Sequence, residues 1–286
     1  MSANAGGPAF VDLHSHSTAS DGTVAPDGVI ESAERCGLTA LALTDHDTID
    51  GVPAARAAGV RLGVRVIAGV ELSAFHEEHE VHLLALHLTH LEGLQRRLSE
   101  LRTMRYTRAQ KIVEKLNALG IPLTLDEVLL QSNGGAIGRP HVARALIARG
   151  VVQDFRDAFT RYLGSAGTAF VPKEHFSIED AIGIVHEAGA LAIWAHPGDG
   201  GRRERLEPLV AAGLDGLEIR HPSHSGEDFK RLQALADFFN LVPSGGSDWH
   251  GAPDGPRRLG IMNVPVEWLE RQDERVASVA SSPSAR

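Results

Sequence analysis

Short apolar runs recur along the chain, each closed by polar or turn residues. Residues 10–13, 39–43, 64–70, 81–88, 191–195, 214–219 and 241–243 are mainly apolar stretches, too short for buried helices, and 39–43 is a continuous apolar run. They read as strands buried on both faces. Between most of them lie segments with helical spacing, at 26–36, 49–58, 177–188, 202–212 and 227–239. Pro26 suits a first helical turn and Gly37 an exit, while Ser177 followed by Asp180 is an N-terminal cap pattern. About seven strands, most followed by a helix, favour a parallel sheet. Polar residues gather after the strand ends, as they do around the active rim of a β/α barrel. An open doubly wound sheet also keeps a site at that edge, but does not draw groups from nearly every strand.

The alternation breaks between about residues 92 and 168. Here Leu94, Leu98, Leu101, Ile112, Val113, Leu116 and Leu119 follow helical spacing in a charged stretch, and shorter helical segments come after it. The expected organisation is a barrel in two parts, 9–91 and 169–270, around a helical insertion at 92–168. A Ser/Ala-rich polar tail at 271–286 is expected to be disordered.

Composition narrows the class. At 286 residues with 43% hydrophobic content, the chain can bury one large core. No apolar run reaches the ~18 residues of a membrane span. Residues 1–8 carry no basic and apolar pattern of a secretory signal, and Cys36 is the only cysteine, so a cytoplasmic protein is expected. Cys36 itself reads as a small buried hydrophobe near a helix end. With a net charge of −9 and no basic tract, duplex DNA is not an expected partner. A small nucleotide or short single-stranded RNA, held locally, is compatible with that charge.

The chemistry sits where the strands stop. His14 and His16 alternate on one face of an extended chain, and Asp21 follows. The same event recurs at His46, Glu71, His82, His196, Asp248 and His250, making six imidazoles and three carboxylates. Nitrogen and oxygen donors without sulfur suit Zn, Mn or Fe, and nine donors exceed the needs of one ion. A water held between cations becomes a nucleophile near neutral pH, so no Ser or Cys nucleophile is required. His87 is a candidate extra donor, whereas His76 and His79 lie in a charged loop. Gly245-Gly246 would let the backbone pass close to the cluster.

The segments VDLHSHSTASDG, LALTDHDT, VIAGVELSA, EVHLLALHL, GRPHVA, AIWAHPGD, GLEIRHPSHS and SGGSDWHG span residues 11–251. Together they resemble the PHP (polymerase and histidinol phosphatase) family of metal-dependent phosphoesterases. The branch they resemble most removes phosphate from nucleoside 3′,5′-bisphosphates, and some members degrade short RNA 5′→3′. The resemblance implies a distorted seven-stranded (β/α) barrel with a helical cap, and two or three divalent ions. His14, His16, Glu71 and Asp248 would hold the first, and Asp21, His46 and His250 the second. Glu71, His82 and His196 would hold the third. Asp21 stands where many members have His, an oxygen donor that favours Mn or Fe while leaving Zn admissible.

Further groups read as substrate handles or catalytic groups. Arg139 and His141 open a helix, and Lys173 returns from the insertion to the barrel. His221 and His224 follow a strand, where either could protonate a leaving oxygen or contact phosphate. Asp248 and His221 are the catalytic candidates. The leading expectation is phosphate removal from a 3′,5′-nucleoside bisphosphate (pAp to AMP), with exoribonuclease action on short RNA beside it. Alternatives are a histidinol-phosphate phosphatase, a metal-dependent amidohydrolase and a non-enzymatic binding module. The amidohydrolase reading lacks an evident bridging lysine, and the full donor set argues against a non-enzymatic module.

Overall fold

The computed structural model describes residues 9–281. Residues 1–8, where no secretory signal was expected, and 282–286, the end of the expected tail, lie outside them. One sheet holds β1 (Phe10–Asp12), β2 (Ala40–Leu43), β3 (Arg65–His76), β4 (His79–Leu86), β5 (Leu191–Trp194), β6 (Gly216–Arg220), β7 (Val242–Gly245) and β8 (Val264–Pro265). Their spatial order is β7-β6-β5-β4-β3-β2-β1-β8.

The sheet is nearly a closed barrel, and its seam lies between β1 and β7. The Leu13 amide donates to the Gly245 carbonyl at 3.0 Å, that of Asp248 to His14 at 2.9 Å, and that of His16 to Trp249 at 2.8 Å. A Cβ at position 246 would sit 2.4 Å from both Cβ and N of His14, so only glycine lets the chains approach this closely. The Asp12 carboxylate pins the seam by accepting from the amides of His14, Ser247 and Gly260. At the other end of the seam β8 pairs antiparallel with β1. It is the eighth strand against an expected seven, and at two residues it leaves no periodicity to read. The parallel pattern is also interrupted. β3 turns back at Glu77-Glu78 into β4, which pairs antiparallel with both β3 and β5.

Around the barrel lie α1 (Pro26–Arg35), α2 (Val52–Leu62), α7 (Ile178–Glu187), α8 (Arg203–Ala211), α9 (Gly226–Phe238) and α10 (Val266–Ala280). Pro26 does open α1, Gly37 leaves it at φ +72°, and Ser177 caps α7 by accepting from the Asp180 amide. Leu13, Leu84, Leu86 and Ile193 fill the barrel interior. The segment without strands forms α3 (Leu91–Ala118), α4 (Leu125–Ser132), α5 (Arg139–Ala148), α6 (Phe155–Ala158) and a π-helical turn at Phe159–Leu163. α3 belongs to two cores. Leu94 and Leu98 pack with the barrel helices, whereas Ile112, Val113 and Leu116 join Val128, Val142, Leu146 and Leu163 in a core of the insertion's own.

Three local expectations are corrected. Residues 271–280 are not a disordered tail but most of α10. Their polar side chains dock the helix: Gln272 is fully buried, donating to the Pro243 carbonyl at 2.8 Å and meeting His87 Nε2 at 3.1 Å, and Asp273 makes a two-pronged pair with Arg65. His87 is thereby engaged with α10 and joins no donor group. Cys36 is exposed, because Val29, Ile30 and Ala33 take the buried face of α1. No helix among the described residues is long and apolar enough to cross a membrane.

Gln272→Ala would leave the buried Pro243 carbonyl unpaired. We expect a loss of about 1–3 kcal/mol in unfolding free energy by urea titration, against within ~0.5 kcal/mol for the exposed Arg271→Ala. Equal effects would mean that α10 is not docked through Gln272.

Candidate metal centre

Each donor is set by the strand that delivers it. After β1 the loop carrying His14 and His16 winds round the buried Asp45 carboxylate. Asp45 accepts from the Ser17 amide and hydroxyl at 2.7 Å and from the Ser20 hydroxyl at 2.6 Å, and so presents Asp21. After β2, His46 bridges in parallel to Glu71, and Glu71 lies in β3 with its side chain buried. His82 comes from β4, His196 follows β5, and Asp248 and His250 follow β7. His196 and Asp248 hold φ of +32° and +50°, conformations that cost a non-glycine residue energy and are found where a side chain must be aimed.

Glu71 is the hub. One oxygen, Oε2, lies 3.2 Å from His14 Nε2, from His16 Nε2 and from His46 Nδ1. The other, Oε1, lies 2.7 Å from His82 Nδ1 and 3.0 Å from His196 Nε2. Asp248 Oδ1 is 3.4 Å from His14 and 3.2 Å from His16. His250 stacks on His16 at 4.2 Å, its Nε2 3.3 Å from Asp21. Burial works against charge on Glu71, yet His46, His82 and His14 outweigh it and hold the carboxyl well below the usual range. Burial also lowers His14, but Glu218 and Glu71 overcome it and raise the imidazole to about 10. The field between these carboxylates therefore favours positive charge.

A divalent cation fits this field. Both ring nitrogens of His16 and Nδ1 of His46 are buried without a hydrogen-bond partner, although carboxylate oxygens lie 3.2 Å from His16 Nε2 and His46 Nδ1. Atoms that close but not aligned as donor and acceptor point at a common centre. Left unpaired, each would cost about 1–3 kcal/mol. The donor atoms fall into overlapping groups. His14, His16, Glu71 and Asp248 form one, and His16, Asp21, His46 and His250 another. In a third, His46 stands with Glu71 and His82, and His196 reaches Glu71 from beside it.

A further group, His14 with Glu218 and His221, contains a residue that sequence reasoning missed. Glu218 Oε1 lies 3.0 Å from His14 Nδ1, and Oε2 accepts from the His196 amide at 2.7 Å, so it fixes which His14 nitrogen faces Glu71. Its signal was a lone carboxylate inside the apolar strand Gly216–Arg220, which must find a partner when buried. Arg257, on the loop after β7, lies against the Asp248 carboxylate and had no sequence signal.

The expected substrate handles separate. Arg139 lines a cleft with His82 and His196, its guanidinium 5.6 Å from the Phe159 ring. His221 is buried, 3.4 Å from Asp248, and burial pushes it down to about 3, so it stays neutral. Lys173 bonds Ser73 at 2.7 Å and pairs with Glu80, which in turn meets His82 at 3.0 Å. Ser73 also meets Arg105 of α3, whose guanidinium pairs with Asp47. This chain of contacts ties the insertion to the donors. His141 and His224, expected as substrate contacts, are engaged with backbone groups. His141 accepts from the Gly138 amide at 3.0 Å to cap α5. His224 spends both nitrogens on backbone groups, of Ile219 at 2.8 Å and Gly198 at 3.1 Å. The insertion reaches the donor loop directly, through Ala136 to Ala19 and Arg144 to the Asp21 carbonyl.

Comparison with known proteins agrees with this geometry. The PHP domain family matches residues 12–179. A 3′,5′-nucleoside bisphosphate phosphatase of Chromobacterium violaceum is 38% identical over 88% of this chain and 91% of its own. The 5′-3′ exoribonuclease Rnm of Salmonella typhimurium is 36% identical, with 84% of each chain covered. A crystal structure from Bifidobacterium adolescentis, assigned as a metal-dependent phosphoesterase, superposes with a TM-score of 0.86 at 34% identity. That superposition covers 94% of this chain and 98% of the other.

With this many donors around Glu71, the protein loaded with Mn²⁺ and desalted is expected to retain at least two ions per chain by elemental analysis. Glu71→Ala should retain fewer. One ion or none on the wild type would reject a multinuclear centre.

Proposed function

This chain belongs to the PHP domain family and is a metal-dependent phosphoesterase, and we propose that its substrate is a nucleoside 3′,5′-bisphosphate, converted by loss of one phosphate. The observation that carries this reading is that His82 and His196, both on Glu71, line a cleft that Arg139 also lines. A substrate with a reacting phosphate at the hub and a second anionic group nearby matches that pairing of sites. The named relatives act on a bisphosphate and on RNA, in line with it. Removal of nucleotides from the 5′ end of short RNA would use the same centre, since that bond too leaves a phosphate at the hub.

We assign His14, His16, Glu71 and Asp248 to one cation, Asp21, His46 and His250 to a second, and Glu71, His82 and His196 to a third position. Mn²⁺ or Fe²⁺ is favoured by the oxygen donors. Divalent ions bound there supply Lewis acidity, neutralising phosphoryl charge and lowering the pKa of water. The protein's part is placement. Glu218 orients His14, Glu80 orients His82, and Asp45 and Asp12 hold the loops from which the donors project. His221, kept neutral beside Asp248, is placed to contact the reacting phosphate rather than to donate a proton. The insertion acts as a cap whose Arg139 meets the non-reacting part of the substrate. With a single thiol and a nucleotide substrate, the protein is assigned to the cytoplasm.

Two measurements test this reading. Phosphate release with Mn²⁺ should favour pAp over histidinol phosphate, and a reversed preference would replace the nucleotide reading with the histidinol-phosphate one. Arg139→Ala should lose roughly ten- to a hundred-fold in kcat/KM on pAp, as expected for a charge-assisted contact, with little change on p-nitrophenyl phosphate. Equal losses on both would put Arg139 on the reacting phosphate.

A further inference from the structure

The cleft beside the hub has a volume of about 280 Å³, near the lower end for small-molecule sites. His82 and His196 form its inner wall, Trp194 and Leu209 supply apolar surface, and two guanidiniums line it, those of Arg139 and Arg205. The two arginines come from different parts of the chain. Arg139 opens α5 of the insertion, whereas Arg205 lies in α8, which follows β5 and His196.

Arg205 differs from the arginines around it. Arg202 donates to the Asp199 carbonyl, Arg203 lies over the Phe238 ring, and Arg231 pairs with Asp228. Among the described residues the Arg205 side chain has no ion pair and no hydrogen bond. The loop before it makes room for the group: a Cβ at position 200 would stand 2.9 Å from Arg205 Nη1, and that position is glycine. Glu80, the carboxylate that lines the same cleft, is already held by Lys173 and His82. The cleft thus presents the uncommitted Arg205 guanidinium beside an apolar wall and next to the donors His82 and His196, together with Arg139, which donates to the Leu163 carbonyl at 3.2 Å. Such a place suits a phosphate attached to the reacting one through a nucleoside.

We infer that Arg205 is a specificity-determining residue of the barrel itself, gripping with Arg139 the 5′-phosphate of a nucleotide whose 3′-phosphoryl group reacts. The inference rests on the nucleotide reading above and adds to it the residue that selects for the second phosphate. A bisphosphate and the 5′ end of a short RNA both carry that group. Both guanidiniums are then needed, because the insertion contributes one half of the clamp and the first turn of α8, the helix after β5, the other. Binding energy spent at this distance from the reacting atoms positions the substrate.

The test uses the full chain loaded with Mn²⁺ and three substrates: pAp, the 5′-phosphorylated dinucleotide pApA, and 3′-AMP, which lacks the 5′-phosphate. Arg205→Ala is expected to lose roughly ten- to a hundred-fold in kcat/KM on pAp, on pApA or on both, while 3′-AMP changes less than about two-fold. Loss on pAp assigns the grip to the bisphosphate, and loss on pApA to RNA. Arg205→Lys should recover part of the loss, and Arg203→Ala on the same helix should leave all three rates unchanged. Calorimetric binding of AMP to the metal-free protein should weaken in Arg205→Ala, while adenosine binding does not change. A wild-type preference for 5′-phosphorylated substrates that survives in Arg205→Ala overturns this inference alone. A wild type without any such preference overturns the nucleotide reading and the inference with it. An equal loss on 3′-AMP also overturns the inference, since Arg205 would then act on the reacting group or on the shape of the cleft.

Discussion

One buried carboxylate governs the arrangement of this molecule. Glu71 stands in the middle of the longest strand, and the imidazoles of His14, His16, His46, His82 and His196 come within hydrogen-bond range of its two oxygens. An anion placed so deep is costly unless positive charge surrounds it. The imidazoles alone cannot all be protonated at such close range, because like charges repel. A divalent cation shared among these lone pairs would relieve that repulsion. The left-handed conformations at His196 and Asp248 belong to the same account, since strain persists where surrounding contacts over-determine it.

The rest of the fold can be understood as the means of bringing those side chains to Glu71. All five imidazoles sit on or just beyond strands β1, β2, β4 and β5, so the sheet must curl before they can meet. The curl depends on the seam, where Asp12 gathers three amides and Gly246 lets β1 and the segment after β7 touch. The insertion adds a second set of ties. Arg105 on Asp47 and Arg144 on the Asp21 carbonyl connect its helices to residues adjoining the donors, and Lys173, on the segment that returns to the barrel, pairs with Glu80.

Much of this was legible in the sequence, and the boundary of legibility has a physical reason. A strand buried on both faces leaves a continuous apolar run, so β1, β2, β5 and the donors that follow them are written contiguously. The nine donors named from the sequence all lie in the cluster around Glu71. Glu218 and Arg105 were not read because each is defined by a partner far away in the chain, and Arg257 because it folds back onto Asp248 across an irregular loop; no local period marks such pairs. The two residues of β8 are fewer than any pattern needs. The polarity of 271–280 suggested solvation, but Gln272 and Asp273 use it to fasten α10 to the barrel. His141 and His224 carry the right chemistry at the right loop. Their nitrogens are consumed by backbone groups, which the residue type alone does not disclose.

The 28-residue α3 supplies side chains to the barrel layer at one end and to the insertion at the other without a break. A helix shared in this way makes the two cores thermodynamic neighbours. Melting the insertion removes support from Leu94 and Leu98, and loosening the barrel unmoors the helix on which the insertion is built. The two cores are therefore coupled through α3, and cutting the insertion out at the sequence boundary where the strands stop would also remove the barrel contacts of Leu94 and Leu98.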